Sequence, residues 1–185
     1  MKVLDLGCGR GKPLDLRGVF PSDQVVGLDL DLESIKAAKS RYPERTFVCG
    51  RGEDLRFLRA NAFDRVVCNV ALPYMNISQT LRQIHRILRP GGTLWASVHT
   101  FSFTASELKD CGFRPKSAAF RTFVMLNGAY FHLTGKVLSL AGKCESTQTR
   151  RGMTRALQSA GFCDVHSEIV REKQKRLFVH ATKAA

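Results

Sequence analysis

The sequence predicts a single α/β domain: a mostly parallel sheet with helices on both faces and an antiparallel hairpin at its carboxyl-terminal edge. Three observations predict it. Five short apolar runs alternate with helix-forming or turn-rich segments through the first hundred residues. Those runs are continuously apolar instead of alternating, as strands buried on both faces are. Two further strand-like runs near the end are joined by the charged turn REKQKR and read as an antiparallel edge pair.

Residues 3–6 (VLDL) form the first strand and run directly into Gly7, Gly9 and Gly11. Residues 16–20 have the composition of a brief helical piece closed by Pro21. Residues 25–30 are a second strand. Residues 31–40 follow as a helix, with Leu32, Ile35 and Ala38 near one face and Asp31 as its cap, Ser34 behind it. Residues 46–49 are a third strand, 55–58 a loop and 63–70 (FDRVVCNV) a fourth strand. Over residues 78–88, Leu81, Ile84, Ile87 and Leu88 recur at helical spacing, and Arg and Gln take the opposite face. Pro90-Gly91-Gly92 ends that segment, and residues 93–98 make the fifth strand. The rhythm then changes. Residues 106–111 are a short helix ending at Gly112, and residues 120–140 are apolar and aromatic, with two glycines and no alternation. Residues 149–160 are a helix ended by Gly161, and residues 165–170 and 176–181 are the closing strands.

A chain of 185 residues suits one domain, residues 1–185, with an insertion at about 100–150. Its 44% apolar content is enough for a packed core. The 29 Lys and Arg against 16 Asp and Glu leave a net charge of +13, which favours an anionic partner such as nucleic acid, a phosphorylated ligand or an acidic membrane surface. Cys8, Cys49, Cys68, Cys111, Cys144 and Cys163 occur singly, a spacing that argues against a structural zinc site. Cys8, Cys49 and Cys68 lie in or beside apolar runs and read as buried thiols, which suits a reducing cytosol. The first residues enter a motif instead of a secretory leader, and no apolar run is long enough to cross a bilayer, so the expected location is the cytoplasm.

An open parallel sheet binds ligands at the carboxyl ends of its strands, and four features fall there. In Asp5-Leu6-Gly7-Cys8-Gly9-Arg10-Gly11 the glycines let the backbone turn tightly and a ligand approach closely. Asp29, about twenty residues on, is placed to accept hydrogen bonds from both ribose hydroxyls, with Leu30 beside it. Gly52-Glu53-Asp54 follows the third strand, where an adenine edge would lie, and Asn69-Val70-Ala71-Leu72 falls near the ligand's reactive end. The leading acid selects the ligand class. Beside a diphosphate Asp5 would be repulsive, whereas S-adenosylmethionine has no phosphate and carries an amino group that suits a carboxylate. Plainer roles compete at each position: Asp5 as a brace for the turn, Asp29 as a helix cap, Asp54 as a solvated loop acid, Cys8 as a small filler and His85 as a surface residue.

Taken in order, these stretches resemble a class I S-adenosylmethionine-dependent methyltransferase of the small ubiquinone-biosynthesis type, a Rossmann-like fold. VLDLGCGRG is similar to the family's first motif, VVGLDLD to the strand carrying the ribose acid, and GEDLRF to its acid-rich loop. FDRVVCNVALPYM resembles its fourth-strand motif, and LRQIHRILRPGGTLWASV its helix, Pro-Gly-Gly turn and fifth strand. GMTRALQSAGF and KRLFVHATK resemble its closing helix and hairpin. The resemblance implies S-adenosylmethionine as cofactor, held by Asp5, Gly7, Cys8, Gly9, Asp29, Leu30, Glu53, Asp54, Asn69 and Val70. Three departures stand out. Only Met1 and Lys2 precede the first strand, where the family commonly has helices, so the expectation is a more open site, one covered by the insertion, a second copy or a partner subunit, or an abbreviated protein. Arg51 stands where an acid is frequent, which leaves Glu53, Asp54 or backbone carbonyls for the adenine amino group. Arg10, with Lys12, adds positive charge beside a cationic cofactor or faces out toward an anionic acceptor.

Methyl transfer from a sulfonium needs mainly an aligned nucleophile, and a base only when the acceptor must lose a proton. His99, at the end of the fifth strand, is the first candidate base and His132, in the insertion, the second; Tyr74 either lines the acceptor mouth or packs. By resemblance the insertion lids the site, and its apolar content then implies a small, partly hydrophobic acceptor. Its other reading is a core helix. Two alternatives stay open. An RNA methyltransferase is supported by the +13 charge and by the run from Arg171 to Arg176 with Lys173 and Lys175, although Asn69 and Pro73-Tyr74 only echo the Asn-Pro-Pro-Tyr motif of base-amino methylases. A non-catalytic partner subunit retaining the fold is the other. No metal site is expected.

Overall fold

A computed structural model describes residues 1–11, 19–110, 115–171 and 175–185. The expected helical piece at 16–20, the end of the expected helix at 111, Lys12 and the centre of the charged turn fall wholly or partly outside them. The sheet comprises β1 (Lys2–Leu6), β2 (Gln24–Asp29), β3 (Thr46–Cys49), β4 (Phe63–Asn69), β5 (Leu88–His99), β6 (Phe162–Arg171) and β7 (Lys175–Lys183). Their spatial order is β3-β2-β1-β4-β5-β7-β6. The first five are parallel, and β7 lies antiparallel between β5 and β6. This is the Rossmann-like α/β sheet with the antiparallel edge expected above. From β1 the chain moves outward to β2 and β3, then returns across β1 to β4 and β5. The crevice at the carboxyl ends of β1 and β4 is therefore the topological switch point, where such sheets bind ligands.

The strands are apolar on both faces because both carry cores. Leu4 and Leu6 of β1 join Val66, Cys68, Leu94 and Ala96 in the larger cluster, while Val3 faces the other way onto Val25 and Val67. Two helices close the larger side: α2 (Ile77–Ile87) and α5 (Arg150–Ser159). Asn76 caps α2 by accepting the Gln79 N–H (3.1 Å), and Ile77, Leu81, Ile84 and Ile87 are buried along its inner face, each stabilising the fold by about 1.5–3 kcal/mol. At the far end of α2 the Lys183 ammonium of β7 donates to the carbonyls of His85 (2.9 Å) and Leu88 (2.8 Å) and to Asn61 Oδ1 (2.8 Å). It thereby satisfies carbonyls that the end of a helix leaves open. On the opposite margin α1 (Leu32–Arg41) starts as expected, with Asp31 accepting the N–H groups of Glu33 and Ser34.

Three features differ from the sequence reading, and at a fourth, the apolar insertion, the helix alternative is the one that forms. Pro90-Gly91-Gly92 lies inside β5: the helix has already ended at Ile87, Gly91 takes φ +73° and the pairing slips between Phe63↔Leu88 and Arg65↔Thr93. The terminator is a bulge. The apolar stretch at 120–140 belongs mostly to a 20-residue helix, α4 (Pro115–Thr134), which follows α3 (Phe101–Asp110). Its glycine at 128 lets the chain after the helix pack closely, because a Cβ there would overlap Thr147. Asn127 fastens that returning chain, accepting the Leu138 N–H (2.7 Å) and donating to the carbonyls of Leu138 (3.1 Å) and Glu145 (3.0 Å). His85 is half-buried instead of fully exposed: its ring meets Phe162 edge-on at 5.2 Å, and burial, then Lys183, lowers its pKa. Cys49 is exposed, because β3 is an edge strand, and its thiol points to the Leu30 carbonyl at 3.4 Å.

Candidate functional site

The turn after β1 takes three left-handed steps, at Gly7 (φ +76°), Gly9 (+53°) and Gly11 (+71°), which side chains resist and glycine accepts. The N–H groups of Gly7 (2.7 Å) and Cys8 (3.1 Å) both donate to the Leu28 carbonyl, so the turn is bolted to β2. The glycines serve different ends. A Cβ on Gly7 would overlap the Ala71 methyl, whereas one on Gly9 would meet none of the described residues within 4 Å. Gly7 is small because the protein packs there; Gly9 leaves open space beside the turn.

Asp29 ends β2 and binds both neighbouring loops. Its Oδ2 accepts the Gly9 N–H (2.8 Å) and its Oδ1 the Asp31 N–H (2.9 Å). Each carboxylate oxygen has further acceptor capacity, which a ligand with two adjacent hydroxyls can use. Beside it lies a cavity of about 330 Å³ across the carboxyl ends of β1, β2 and β4. Gly7, Asp29, Leu30, Glu53, Asn69 and Val70 all line it. Asp5, Cys8, Gly9 and Asp54 do not. Asp5 is buried beneath the turn. Cys8 packs over Gly27, and burial first, then Asp5 and Asp29, pushes its thiol up to about 12. It stays a protonated filler. Asp54 turns to the Arg56 guanidinium (2.7 and 2.8 Å), whose hydrogen bonds pull its pKa down to about 2.

Two residues not singled out from sequence, Met75 and Ser97, support those that were. Gly52 is buried against Met75, whose Sδ would sit 2.7 Å from a Cβ, so the two seal one wall. Glu53 accepts the Asn76 N–H at 3.2 Å and stands 3.8 Å from Arg51, which ties it to the amino end of α2. Val70 holds φ +64°, a strained value for a β-branched residue. It is kept there by β5: the Val70 N–H donates to the Ser97 carbonyl (2.9 Å), and the buried Ser97 hydroxyl donates to Asn69 Oδ1 (2.6 Å). A signal for Ser97 existed, since a hydroxyl interrupts the apolar run WASV. None existed for Met75, which meets Gly52 only through the fold.

Beyond Tyr74, which also lines the cavity, lies an aromatic cluster. Tyr74 meets His99 edge-on at 5.7 Å, and Phe103 stacks on the other side at 4.0 Å. His99 is 8% exposed, and burial, then Arg176 and Arg121, lowers its pKa to about 4. The imidazole is therefore neutral at pH 7, with one nitrogen able to accept. His132 lies elsewhere, its Nδ1 2.9 Å from the Thr149 hydroxyl that caps α5. The structure brings Tyr74 and His99 together and leaves His132 out.

The donor set around the cavity suits S-adenosylmethionine. Asp29 and Glu53 line the cavity as acids, a chemistry compatible with a ligand that carries hydroxyls and cationic groups. Residues 4–96 match the family model described as a methyltransferase domain. An uncharacterised methyltransferase of Synechocystis sp. is 39% identical over 94 residues, covering 49% of this chain and 43% of its own length. The chain spans about two fifths of the length of the curated relatives it matches. A solved S-adenosylmethionine-dependent methyltransferase of Methanosarcina mazei superposes with TM-score 0.67 at 17% identity, over 99% of this chain and 92% of the other. A Haloferax volcanii complex of a methyltransferase activator and a putative methyltransferase gives 0.69 at 17% identity, over 100% and 83%. At these identities the solved structures speak for the fold alone.

Proposed function

This chain belongs to the methyltransferase-domain family, its cofactor is S-adenosylmethionine, and we propose that it methylates a small, partly hydrophobic acceptor in the manner of the ubiquinone-biosynthesis-like enzymes it resembles. The observation that carries the acceptor reading is the Tyr74–His99–Phe103 cluster beside the cavity: an aromatic wall holding one neutral imidazole. Bound in the cavity, the cofactor supplies an electrophilic methyl group on a sulfonium. Asp29 receives the ribose hydroxyls on its remaining lone pairs, and Glu53 offers its carboxylate toward the adenine end. Gly7, Leu30, Asn69 and Val70 shape the cavity walls. Asp5 braces the turn from below, and Gly9, outside the cavity lining itself, keeps the turn beside it open to close approach. Tyr74 packs the acceptor, and His99 accepts a hydrogen bond from its hydroxyl or takes its proton. Asp54, Cys8 and His132 take no direct part, each being engaged elsewhere. A covering subunit, whether a second copy or an activator, belongs to the same reading.

Calorimetric titration with S-adenosylmethionine, followed by transfer of labelled methyl to a panel of phenolic and quinol acceptors, tests this. Saturable binding and turnover on an aromatic hydroxyl are expected, while absence of binding at millimolar cofactor overturns the reading. An RNA acceptor is the second reading, favoured by the +13 charge. Methylation of RNA that falls steeply as salt rises would replace the first reading with the second.

A further inference from the structure

α4 has two unlike faces. Val124, Gly128 and Phe131 turn inward and are buried. Leu126, Tyr130 and Leu133 recur at helical spacing on the opposite side and face water, Leu126 at 66% and Leu133 at 65% exposure. Leu138 and Leu140, on the chain leaving the helix, are also exposed. Large aliphatic side chains concentrated this way mark a contact surface rather than scattered surface residues.

The charge along the chain from α4 to α5 is one-sided. Residues 115–155 contain seven Lys or Arg and one acid, Glu145. Glu145 is engaged by Arg121 (2.8 Å), and Arg155 closes the end of α4 on the carbonyls of His132 and Leu133. That leaves Lys116, Lys136, Lys143, Arg150 and Arg151 exposed. Lys143 is bridged through its backbone to Leu140, and Lys136 precedes Leu138 by two residues, so cations flank Leu138 and Leu140. This combination chooses among occupants. A second copy would set two strongly cationic faces against each other. RNA would use the cations and leave the leucines in water. An anionic bilayer uses both, with aliphatic side chains entering the interface and Lys and Arg meeting the headgroups. No helix among the described residues is long and apolar enough to cross a membrane, so the contact lies on the surface.

We propose that the exposed face of α4 and the following turn dock this protein on an anionic lipid surface, bringing the acceptor side of the site to the membrane. The same segment returns to that site at Gln148, whose N–H donates to the His99 carbonyl (3.0 Å). The purpose of docking rests on the partly hydrophobic acceptor proposed above; the docking itself does not, and it is read without turnover. The test is flotation of the whole chain with vesicles of phosphatidylcholine alone and with about one-third phosphatidylserine. A double variant, Leu126→Gln with Leu133→Gln, keeps the charge unchanged. The wild type is expected to float with the anionic vesicles only, and the double variant's partition to fall about tenfold or more. Its cofactor affinity by calorimetry and its melting temperature should stay at wild-type values, which separates failure here from failure of the cofactor reading. Absence of flotation, or equal flotation of the variant, overturns the proposal, the latter by reducing the contact to charge adhesion. A concentration-dependent dimer or a tight complex with an acidic protein that the same variant abolishes, without vesicle binding, also overturns it.

Discussion

Replacing Gly7 and Gly9 by alanine, one at a time, separates packing from ligand access in the turn after β1. Both positions hold a left-handed φ, +76° and +53°, which costs alanine about 1–2 kcal/mol at either site. At Gly7 the new methyl also overlaps that of Ala71, adding about 1–3 kcal/mol of overpacking. Gly9→Ala should therefore lose about 1–2 kcal/mol of stability, and Gly7→Ala about 2–5 kcal/mol. Binding should rank the other way for the surviving fold, because the Gly9 methyl projects into space that none of the described residues fills. Gly9→Ala is expected to weaken S-adenosylmethionine by about tenfold or more while remaining folded. The pairing with Ala71 supplies an internal control: Gly7→Ala combined with Ala71→Gly should recover the overlap cost and leave only the backbone cost. Urea unfolding reads stability and calorimetry reads affinity. Equal stabilities for the two single variants, or failure of the double variant to recover, would refute the packing argument. Wild-type affinity in Gly9→Ala would refute the access argument.

Asp29→Ala removes an acceptor from the N–H groups of Gly9 and Asp31 (2.8 and 2.9 Å), so it should cost about 1–2 kcal/mol in urea unfolding and weaken the cofactor about 10- to 100-fold by calorimetry. Unchanged affinity rules out the ribose role. His99 is held near pKa 4 when folded and returns to about 6.5 when unfolded, so between those values the unfolded chain binds the proton first. Stability is then undiminished above about pH 6.5 and falls as pH drops toward 4, by up to about 3 kcal/mol from this group. His99→Asn should flatten the slope by that amount without abolishing it, since His85 and His180 are lowered too. An unchanged slope in urea titrations across that range would show that His99 is not shielded as the structure has it.

What was legible in the sequence is what is local. The strands of the first half announce themselves by composition, and Asp31 caps α1 from its own next turn. Asp29 follows the glycines at the separation that two adjacent strands impose, and it bonds back to Gly9. The losses are of the opposite kind. Gly91 and Gly92 looked like a helix stop, because the bulge they make is defined only against β4. His85 looked like surface because its partner Phe162 lies far along the chain. α4 hid its period because it buries Asn127 and Gly128 to grip the returning chain while exposing leucines, the reverse of the usual pattern. Asp54 and Glu53 are neighbours with equal claims on paper. Arg56, two residues on, draws Asp54 away, and Asn76 holds Glu53 at the cavity.

The place of β7 between β5 and β6 has a consequence for the order of events during synthesis. β6 is made first yet takes the rim, so the outer edge of β5, with Trp95 and His99 on it, finds no permanent neighbour until residues 175–183 have emerged. A parallel half that holds the glycine turn can gather early while its last strand stays an unpaired ladder, the kind of edge that invites pairing with a foreign strand. The late pairing also joins segments far apart in the chain, which is slow. When it comes, Lys183 reaches across to the end of α2 and latches the hairpin in place. A nascent chain stalled before β7 would thus display a nearly finished cofactor cleft beside a sticky edge, and this stage is where quality control would be most needed.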